Sequence, residues 1–296
     1  MNVDPFIEAE RAQQHNVTRV CQLLKVSRAA SYTRRAGSAS AHQQVDKQLT
    51  EHIRAAHTAS KGRYGAPRIH AQLRRAGHRH GRKRIARLMR AAGLHGRTPR
   101  RFTRTTIPDS QAAARADLIR RDFSVNAAAV NRRWCGDITY IWTWEGWLYL
   151  ATVIDIASRR VVGFTLAEHL RTELVADALA NAVAARDPAA GVIFHADRGC
   201  RYTSWDDAIL AGDLEVVLSH GRTGQCWDNA LAESFFASLN GECLNEQPWP
   251  TRAAARRAVV EYIGWYNGAR LHSALGYLTP DEFESTTNKE GINQAA

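Results

Sequence analysis

Long apolar segments are missing from this chain of 296 residues. Its longest strongly apolar run, LYLATVIDIA at residues 148–157, is far shorter than the roughly 20 residues that a membrane-spanning helix needs. The N-terminus also lacks the apolar core of a secretory signal. The sequence therefore argues against a membrane protein or a membrane partner and predicts a protein of the cytoplasm.

Cysteine is scarce, and the sequence does not pair it. The five cysteines form no CxxC motif and lie far apart, at Cys21, Cys135, Cys200, Cys226 and Cys243. This spacing indicates neither a disulfide framework nor a cysteine-rich zinc site. We expect reduced, partly buried thiols.

Acidic residues are absent from residues 52–108, which contain 16 Lys and Arg. More widely, residues 1–130 contain 26 basic and 8 acidic residues, a net charge of +18, whereas the remainder contains 14 and 21, a net charge of −7. A solvated face normally mixes both signs, so the first part of the chain is suited to an external polyanion. Nucleic acid is the expected partner, because no long exposed apolar face accompanies the charge as it would at a membrane.

Helical periodicity dominates the first 98 residues and divides them into two segments. Residues 1–36 predict short helices arranged as a small helix-turn-helix, and a flexible linker separates them from residues 42–98. The second segment begins with a helix that carries Val45, Leu49, Ile53 and Ala56 on one face.

A helix pair at residues 62–94 follows, and its second helix is strongly basic. Pro67 suits the first turn of the first helix and Gly77 its end. Five residues of the second helix are expected to lie mostly outward: Arg82, Lys83, Arg84, Arg87 and Arg90. Such a helix fits a DNA groove, where Arg contacts phosphates or guanine edges, although a solvated helix on a structural bundle would show the same pattern.

Residues 99–125 contain few apolar periodic positions and several basic residues, among them Arg100 and Arg101. We interpret this stretch as a basic linker that tracks a DNA backbone.

Beyond residue 131 the pattern changes from helices to strands. Three strands rich in aromatic and β-branched residues come first, WCGDITYIWTW, WLYLATVIDIAS and RRVVGFTLA, and helices then alternate with strands. This order predicts a mixed-sheet α/β core at residues 126–245, with helices on the sheet faces. Residues 246–296 predict a helical extension of that core.

Three carboxylates of this core are candidate site residues. Asp197 follows the apolar run GVIFHA, so the end of a strand would direct it toward solvent or a ligand. Asp137 interrupts an apolar strand, where a carboxylate is unfavourable unless it faces an open site or a cation. Glu233 lies on a helix whose apolar residues face the sheet. Taken singly, each residue has another possible role: Asp197 as a turn former or helix cap, Asp137 as a charge at a strand edge, and Glu233 as a solvated helix residue.

Four motifs resemble the integrase core of bacterial insertion-sequence transposases. They are residues 134–145 (WCGDITYIWTWE), 195–204 (HADRGCRYTS), 224–239 (GQCWDNALAESFFASL) and 265–282 (WYNGARLHSALGYLTPDE). The resemblance is to the catalytic open-reading-frame-B product of the insertion-sequence-three family, which is related to retroviral integrases. It covers nearly the whole chain, because residues 62–94 match the helix-turn-helix segment of that family and residues 8–36 its short N-terminal helical segment.

That resemblance implies an RNase H-like fold and a DDE catalytic triad of Asp137, Asp197 and Glu233, with 35 residues between the last two. It implies a DNA transposase that uses two Mg²⁺ ions, or Mn²⁺ in their place, to cut the element ends and join the freed 3′-OH to another DNA. Such chemistry requires carboxylates, because hard cations prefer oxygen ligands. Asp137 is expected to bridge the two ions, and Asp197 and Glu233 each to complete one coordination shell.

The supporting residues of this site are less specific. His195 is expected either to orient an Asp or a phosphate or to pack at the end of its strand. Asp228 and Asn229 are helix caps that the resemblance places beside the site, and Arg198 fits a loop near DNA.

Two residues depart from the pattern of the family. Asn240 stands where Lys is frequent, and Leu271 stands where Pro is usual. The first puts one contact with the DNA end in doubt, and the second changes the expected stiffness of a loop; neither removes a metal ligand.

The resemblance also implies partners: double-stranded DNA with the terminal inverted repeats of the element, target DNA, further copies of this chain, and the A product or a fusion with it. We expect the protein at the bacterial nucleoid. Two other functions remain open, an RNase H-like nuclease or junction resolvase that stops at hydrolysis, and a DNA-binding regulator with an inactive core. A virus-type integrase is disfavoured, because no His/Cys zinc set precedes the core.

Overall fold

The computed structural model describes residues 3–35, 40–97, 117–196, 211–220 and 229–286. The chain forms two compact units, Met1–Gly96 and Arg97–Ala296. The first is helical, and the second is built on a sheet. Among the described residues, no helix combines the length and the apolar content needed to cross a membrane.

Three short helices begin the first unit, as the sequence predicts: α1 (Asp4–Ala12), α2 (Val17–Leu23) and α3 (Arg28–Arg35). The Asn16 side chain caps α2 by accepting two backbone N–H groups of its first turn. Ile7 and Cys21 are buried. The N-terminal segment thus has a small apolar core of its own.

Three longer helices complete this unit: α4 (Ala41–Ala59), α5 (Ala66–Arg75) and α6 (Arg82–Ala91). Ser40 and Gln43 form a capping box at the start of α4, which fixes where that helix begins. The buried residues of the three helices include Leu49, Ile53, Ile69, Leu73, Ile85, Leu88 and Met89. Val45 is an exception, since it lies on the apolar face of α4 but is 41% exposed.

The second unit contains a five-stranded mixed sheet. Its strands are β1 (Arg133–Thr143), β2 (Gly146–Asp155), β3 (Val161–Ala167), β4 (Val192–Ala196) and β5 (Val216–His220). Their order is β3-β2-β1-β4-β5. The first three pair antiparallel, whereas β4 pairs parallel with both β1 and β5. The predicted mixed α/β core is therefore confirmed.

Helices cover both faces of the sheet. One face packs against α7 (Thr172–Arg186), through a core that includes Trp134 and Phe194. The other packs against α8 (Ala230–Glu242) and α9 (Arg252–Gly268), through a core that includes Cys135 and Phe235. Trp134 and Cys135 face opposite sides because successive side chains of a strand alternate.

Alternation along the strands places Asp137 on the same face as α8. Cys135, two residues earlier on β1, belongs to the core beneath α8 and α9. Leu150 and Ile154 of β2 belong to the same core. Asp137 therefore extends from the sheet toward the layer that contains Glu233.

Candidate active site

Asp137 is the fifth residue of β1 and is half-buried. The backbone N–H of Ile138 donates to its Oδ1 at 2.8 Å. Thr152 of β2 lies directly opposite Asp137 in the antiparallel register. A charged side chain thus stands in the middle of the central strand, as the sequence predicts.

Within the described residues, the last pair in the parallel register of β1 with β4 is Gly136 and Ala196. Gly136 precedes Asp137 in the sequence, and Ala196 precedes Asp197. Asp197 itself lies outside the described residues, as do Arg198 and Asp228. The structure therefore brings the two residues that precede these aspartates into adjacent positions of one sheet.

Position 136 requires glycine, because the face of the sheet opposite to Asp137 is closely packed there. A Cβ at this position would collide with the Phe194 ring and would lie 2.9 Å from the Thr152 carbonyl oxygen. Glycine therefore lets Phe194 of β4 fill the space beside β1.

Asn229 connects the start of α8 to β1. It is only 3% exposed, and its Nδ2 donates to the Gly136 carbonyl at 3.0 Å. Because a carbonyl only accepts, this bond fixes the orientation of the amide and directs Oδ1 away from Gly136. The sequence predicts Asn229 as a helix cap, but no side-chain capping bond is present; its side chain bonds across to the strand instead.

Glu233 lies in the first turn of α8 and is half-buried. Leu231, Phe235 and Phe236 of the same helix are buried against the sheet, as predicted from the sequence. A carboxylate in the first turn also interacts favourably with the helix dipole. The helix that begins beside Gly136 thus holds this carboxylate close to its own N-terminal end.

His195 packs inside the sheet. It is 1% exposed and pairs with Cys135 of β1, and its Nδ1 lies 2.9 Å from the Ser219 hydroxyl of β5. The two roles expected from the sequence were orientation of a site group and packing at the strand end. This contact supports the second, because one ring nitrogen already bonds within the sheet.

Two buried oxygen atoms beside Asp137 have no hydrogen-bond partner among the described residues. They are Thr152 Oγ1 and Asn229 Oδ1. Buried polar atoms are nearly always bonded, so unsatisfied atoms next to a carboxylate indicate a polar site. The sequence pattern does not single out Thr152, because this residue is part of an apolar strand pattern, whereas Asn229 is expected from the sequence as a helix cap beside the site.

A thiol also lies close by on the same face of β1. Burial raises the pKa of Cys135, so it remains protonated near neutral pH. Cys21 and Cys243 are buried and unbridged as well, as expected. The donors that the described part of the site offers to a ligand are therefore oxygen atoms.

Within the described ranges, no three His, Cys, Asp or Glu side chains lie close enough to hold a metal ion. Two of the three predicted ligands, Asp137 and Glu233, belong to these ranges, and Asp197 does not.

The basic residues of α6 divide into two groups. Arg82, Lys83 and Arg90 are exposed. Arg84 and Arg87 instead bind the Asp46 carboxylate of α4 at 2.7 and 2.6 Å. Arg87 is still 59% exposed and Arg84 is 27% exposed, so the five cations lie mostly outward, with Arg84 the least exposed of them. The other predicted DNA contacts, Arg100 and Arg101, lie outside the described residues.

The two arginines change the pKa of Asp46. The hydrogen bond from Arg87, and then that from Arg84, lowers the pKa of its carboxyl. A bond between helices explains part of the basic charge of α6 without DNA.

Family models match three parts of the chain. Residues 127–226 and 214–280 match models described as integrase core domains, and residues 44–102 match a model described as an HTH-like domain.

Similar proteins of known identity are insertion-sequence transposases. The chain is 37% identical over 283 residues to the transposase InsF for insertion sequence IS3A of Escherichia coli (strain K12), which covers 95% of this chain and 97% of that protein. It is also 37% identical, over 244 residues, to the transposase for insertion sequence element IS904 of Lactococcus lactis subsp. lactis (strain IL1403), covering 82% and 96%.

Solved structures give more distant matches. The catalytic domain of Mos1 mariner transposase has a TM-score of 0.41 at 16% identity, covering 54% of this chain and 76% of that one. The catalytic core domain of HTLV-2 integrase in complex with magnesium has a TM-score of 0.40 at 14% identity, covering 52% and 96%.

Proposed function

This chain belongs to the IS3 family of insertion-sequence transposases, and we propose that Asp137, Asp197 and Glu233 form the centre at which it cuts and joins DNA. It is a polynucleotidyl transferase with an HTH-like region and an RNase H-like integrase core. DNA is accordingly its substrate.

One observation carries the proposal: the pairing of Gly136 with Ala196. Each of the two aspartates directly follows one member of this pair, and both strands run in the same direction. Consecutive Cα atoms are about 3.8 Å apart, so the chain itself limits how far Asp197 can lie from β1. The bond from Asn229 to Gly136 supports Glu233 as the third residue of the triad, because it holds the start of the helix that carries Glu233 beside Gly136.

The donor set suits hard divalent cations. Mg²⁺ and Mn²⁺ prefer oxygen ligands, and the described part of the site offers two carboxylates and the unpartnered Oδ1 of Asn229. Cys135 does not compete as a thiolate, because its pKa is raised. Asp137, Asp197 and Glu233 would together hold these ions.

Two bound Mg²⁺ ions would activate the attacking oxygen and neutralise charge that develops on the phosphate. The protein residues supply position. Asp137 is fixed by its strand, Glu233 by α8, and Asn229 holds the two elements in register. Water is the nucleophile when the element end is nicked, and the freed 3′-OH is the nucleophile in strand transfer. No covalent protein–DNA intermediate is required, and no Ser or Tyr nucleophile is assigned.

We assign DNA binding in the first unit to the exposed cations of α6, which are Arg82, Lys83 and Arg90. Arg84 and Arg87 contribute through a helix that they also hold to α4. Arg100, Arg101 and Arg198 are proposed as further contacts with DNA phosphates.

The remaining partners follow from the reaction. Two element ends must be cut and joined to one target, which favours several copies of this chain on the DNA. The terminal inverted repeats are the specific sites, and the A product, separate or fused, is the expected protein partner. The reaction takes place at the nucleoid in the bacterial cytoplasm.

The test uses the full chain with a duplex that carries the end of its own element. We expect Asp137→Asn, Asp197→Asn and Glu233→Gln each to lower cleavage and strand transfer by at least 100-fold, while the mobility shift of the duplex is retained. Asp187→Asn, the same chemical change at an exposed left-handed position that Asn tolerates, is the matched control. Normal cleavage by any of the three site variants would refute the triad.

A precut duplex with a free 3′-OH separates the alternatives. A transposase joins this end to target DNA. A nuclease or resolvase would only hydrolyse, and an inactive regulator would bind without either product.

A further inference from the structure

Thr152 has a buried hydroxyl for which packing gives no reason. Its side chain is fully buried, and its Oγ1 has no hydrogen-bond partner among the described residues. The neighbours on the same face of β2, Leu150 and Ile154, are apolar members of the core. A valine of the same shape would fill this position without burying an unsatisfied polar atom.

The position of Thr152 provides a reason. It lies directly opposite Asp137 in the β1–β2 register. Directly opposed residues of an antiparallel pair have Cβ atoms about 4.5–5.5 Å apart and extend to the same face. A hydroxyl on one can therefore reach a carboxylate on the other through rotation about χ1.

We propose that Thr152 is a positioning residue, whose hydroxyl donates a hydrogen bond to the Asp137 carboxylate when that carboxylate binds divalent metal ions. The inference rests on the proposed function of Asp137 as a metal ligand. The Ile138 N–H already bonds to Oδ1 of Asp137, so a second donor from β2 would fix the plane of the carboxylate from the neighbouring strand. Groups that orient a metal ligand in this way typically contribute 10–100-fold to metal affinity.

The experiment measures Mn²⁺ binding by the full chain on DNA, with the free ion followed by electron paramagnetic resonance. Thr152→Val is expected to weaken binding by about 10-fold. Thr152→Ser, which keeps the hydroxyl, is expected to stay within about 3-fold of the wild type.

Thermal unfolding separates this role from a purely structural one, for which Thr152→Val would lower the unfolding temperature. Because the buried hydroxyl is unsatisfied in the metal-free fold, our proposal predicts that Thr152→Val leaves the unfolding temperature unchanged or raised while Mn²⁺ affinity falls. Equal Mn²⁺ affinity in Thr152→Val and wild type would overturn the inference. So would a loss of affinity that Thr152→Ser shares in full, or one that accompanies a lowered unfolding temperature in both variants.

Asp137→Asn separates failure of this inference from failure of the proposed function. If Asp137→Asn abolishes Mn²⁺ binding and Thr152→Val does not weaken it, the metal site stands and the role of Thr152 is wrong. If Asp137→Asn binds Mn²⁺ like the wild type, the proposed metal centre itself is wrong.

Discussion

At the scale of single residues, two kinds of arginine share helix α6. Arg82 and its neighbour Lys83 extend to solvent, whereas Arg84 is bound to Asp46 on another helix. Charge alone does not separate these roles, because all three are cations within one helical turn. Only the position of α4, which brings Asp46 to this face, distinguishes a residue proposed to bind DNA from one that joins two helices.

Substitution should separate these roles. Arg82→Ala and Lys83→Ala are expected to weaken DNA binding, and each should reduce the slope of log affinity against log salt by about 1, because one phosphate contact is lost. Unfolding should change by less than about 0.5 kcal/mol, since both side chains are exposed. Arg84→Ala is the control, and it should lower the unfolding temperature. Salt-dependent fluorescence anisotropy and thermal unfolding measure the two effects, and an unchanged salt slope in Arg82→Ala and Lys83→Ala would contradict the assignment.

Asp46 should give its helical unit a specific sensitivity to acid. Its pKa is lowered in the folded state by Arg87 and Arg84, so its charged form stabilises the fold. That stabilisation is complete above the ordinary Asp pKa of about 3.9 and is lost as the pH falls through the lower folded value. Thermal unfolding between pH 6 and pH 3 should therefore show a smaller loss for Asp46→Asn than for the wild type. Parallel curves for the two proteins would show that the pairing contributes nothing.

At the scale of elements, α8 is held at both ends. Asn229 bonds to β1 at its start, and near its end the buried Glu242 binds Arg270, which follows α9. The Arg270 guanidinium donates to both oxygens of Glu242 at 2.7 and 2.8 Å, and the Tyr262 hydroxyl donates to the same carboxylate at 2.9 Å. Burial lowers the pKa of Arg270, but the bonded Glu242 more than offsets this and raises it overall, so the pair is ionised. The C-terminal extension thus fixes the helix that carries Glu233.

Loss of one partner of this ion pair should destabilise the core strongly. Arg270→Met leaves the Glu242 charge buried and unpaired, for which the expected loss is about 3–5 kcal/mol. Urea unfolding measures this. The double variant Arg270→Met with Glu242→Leu is the control, and it should recover most of the loss because it leaves no buried charge. A single variant as stable as the double variant would contradict the account.

Elements differ in how far local sequence determines them. The β1–β2 hairpin, α7 and the buried face of α8 follow from alternation and helical periodicity, and the structure confirms them. The parallel pairing of β4 with β1 does not, because it joins residues about 60 positions apart and no turn sets its register. The bond from Asn229, at the start of α8, to Gly136 of β1 escaped prediction for a related reason, since only the folded sheet brings Gly136 to it.

At the scale of the whole molecule, charge and chemistry are divided along the chain. In the proposed function, the basic first part would provide affinity for DNA through phosphate contacts, and the acidic core would provide carboxylates that need metal ions to lie close to a phosphate. The resemblance to a transposase family supplied the proposed triad and placed Asn229 beside it, whereas the bond that Asn229 makes to β1 and the proposed role of Thr152 required the fold.

A crystal structure of the chain grown with Mn²⁺ and DNA, analysed by anomalous scattering, tests the central claim most directly. The account predicts manganese peaks within about 2.5 Å of carboxylate oxygens of Asp137, Asp197 and Glu233 together. Manganese bound elsewhere, or an Asp197 side chain directed away from the other two with DNA in place, would contradict it.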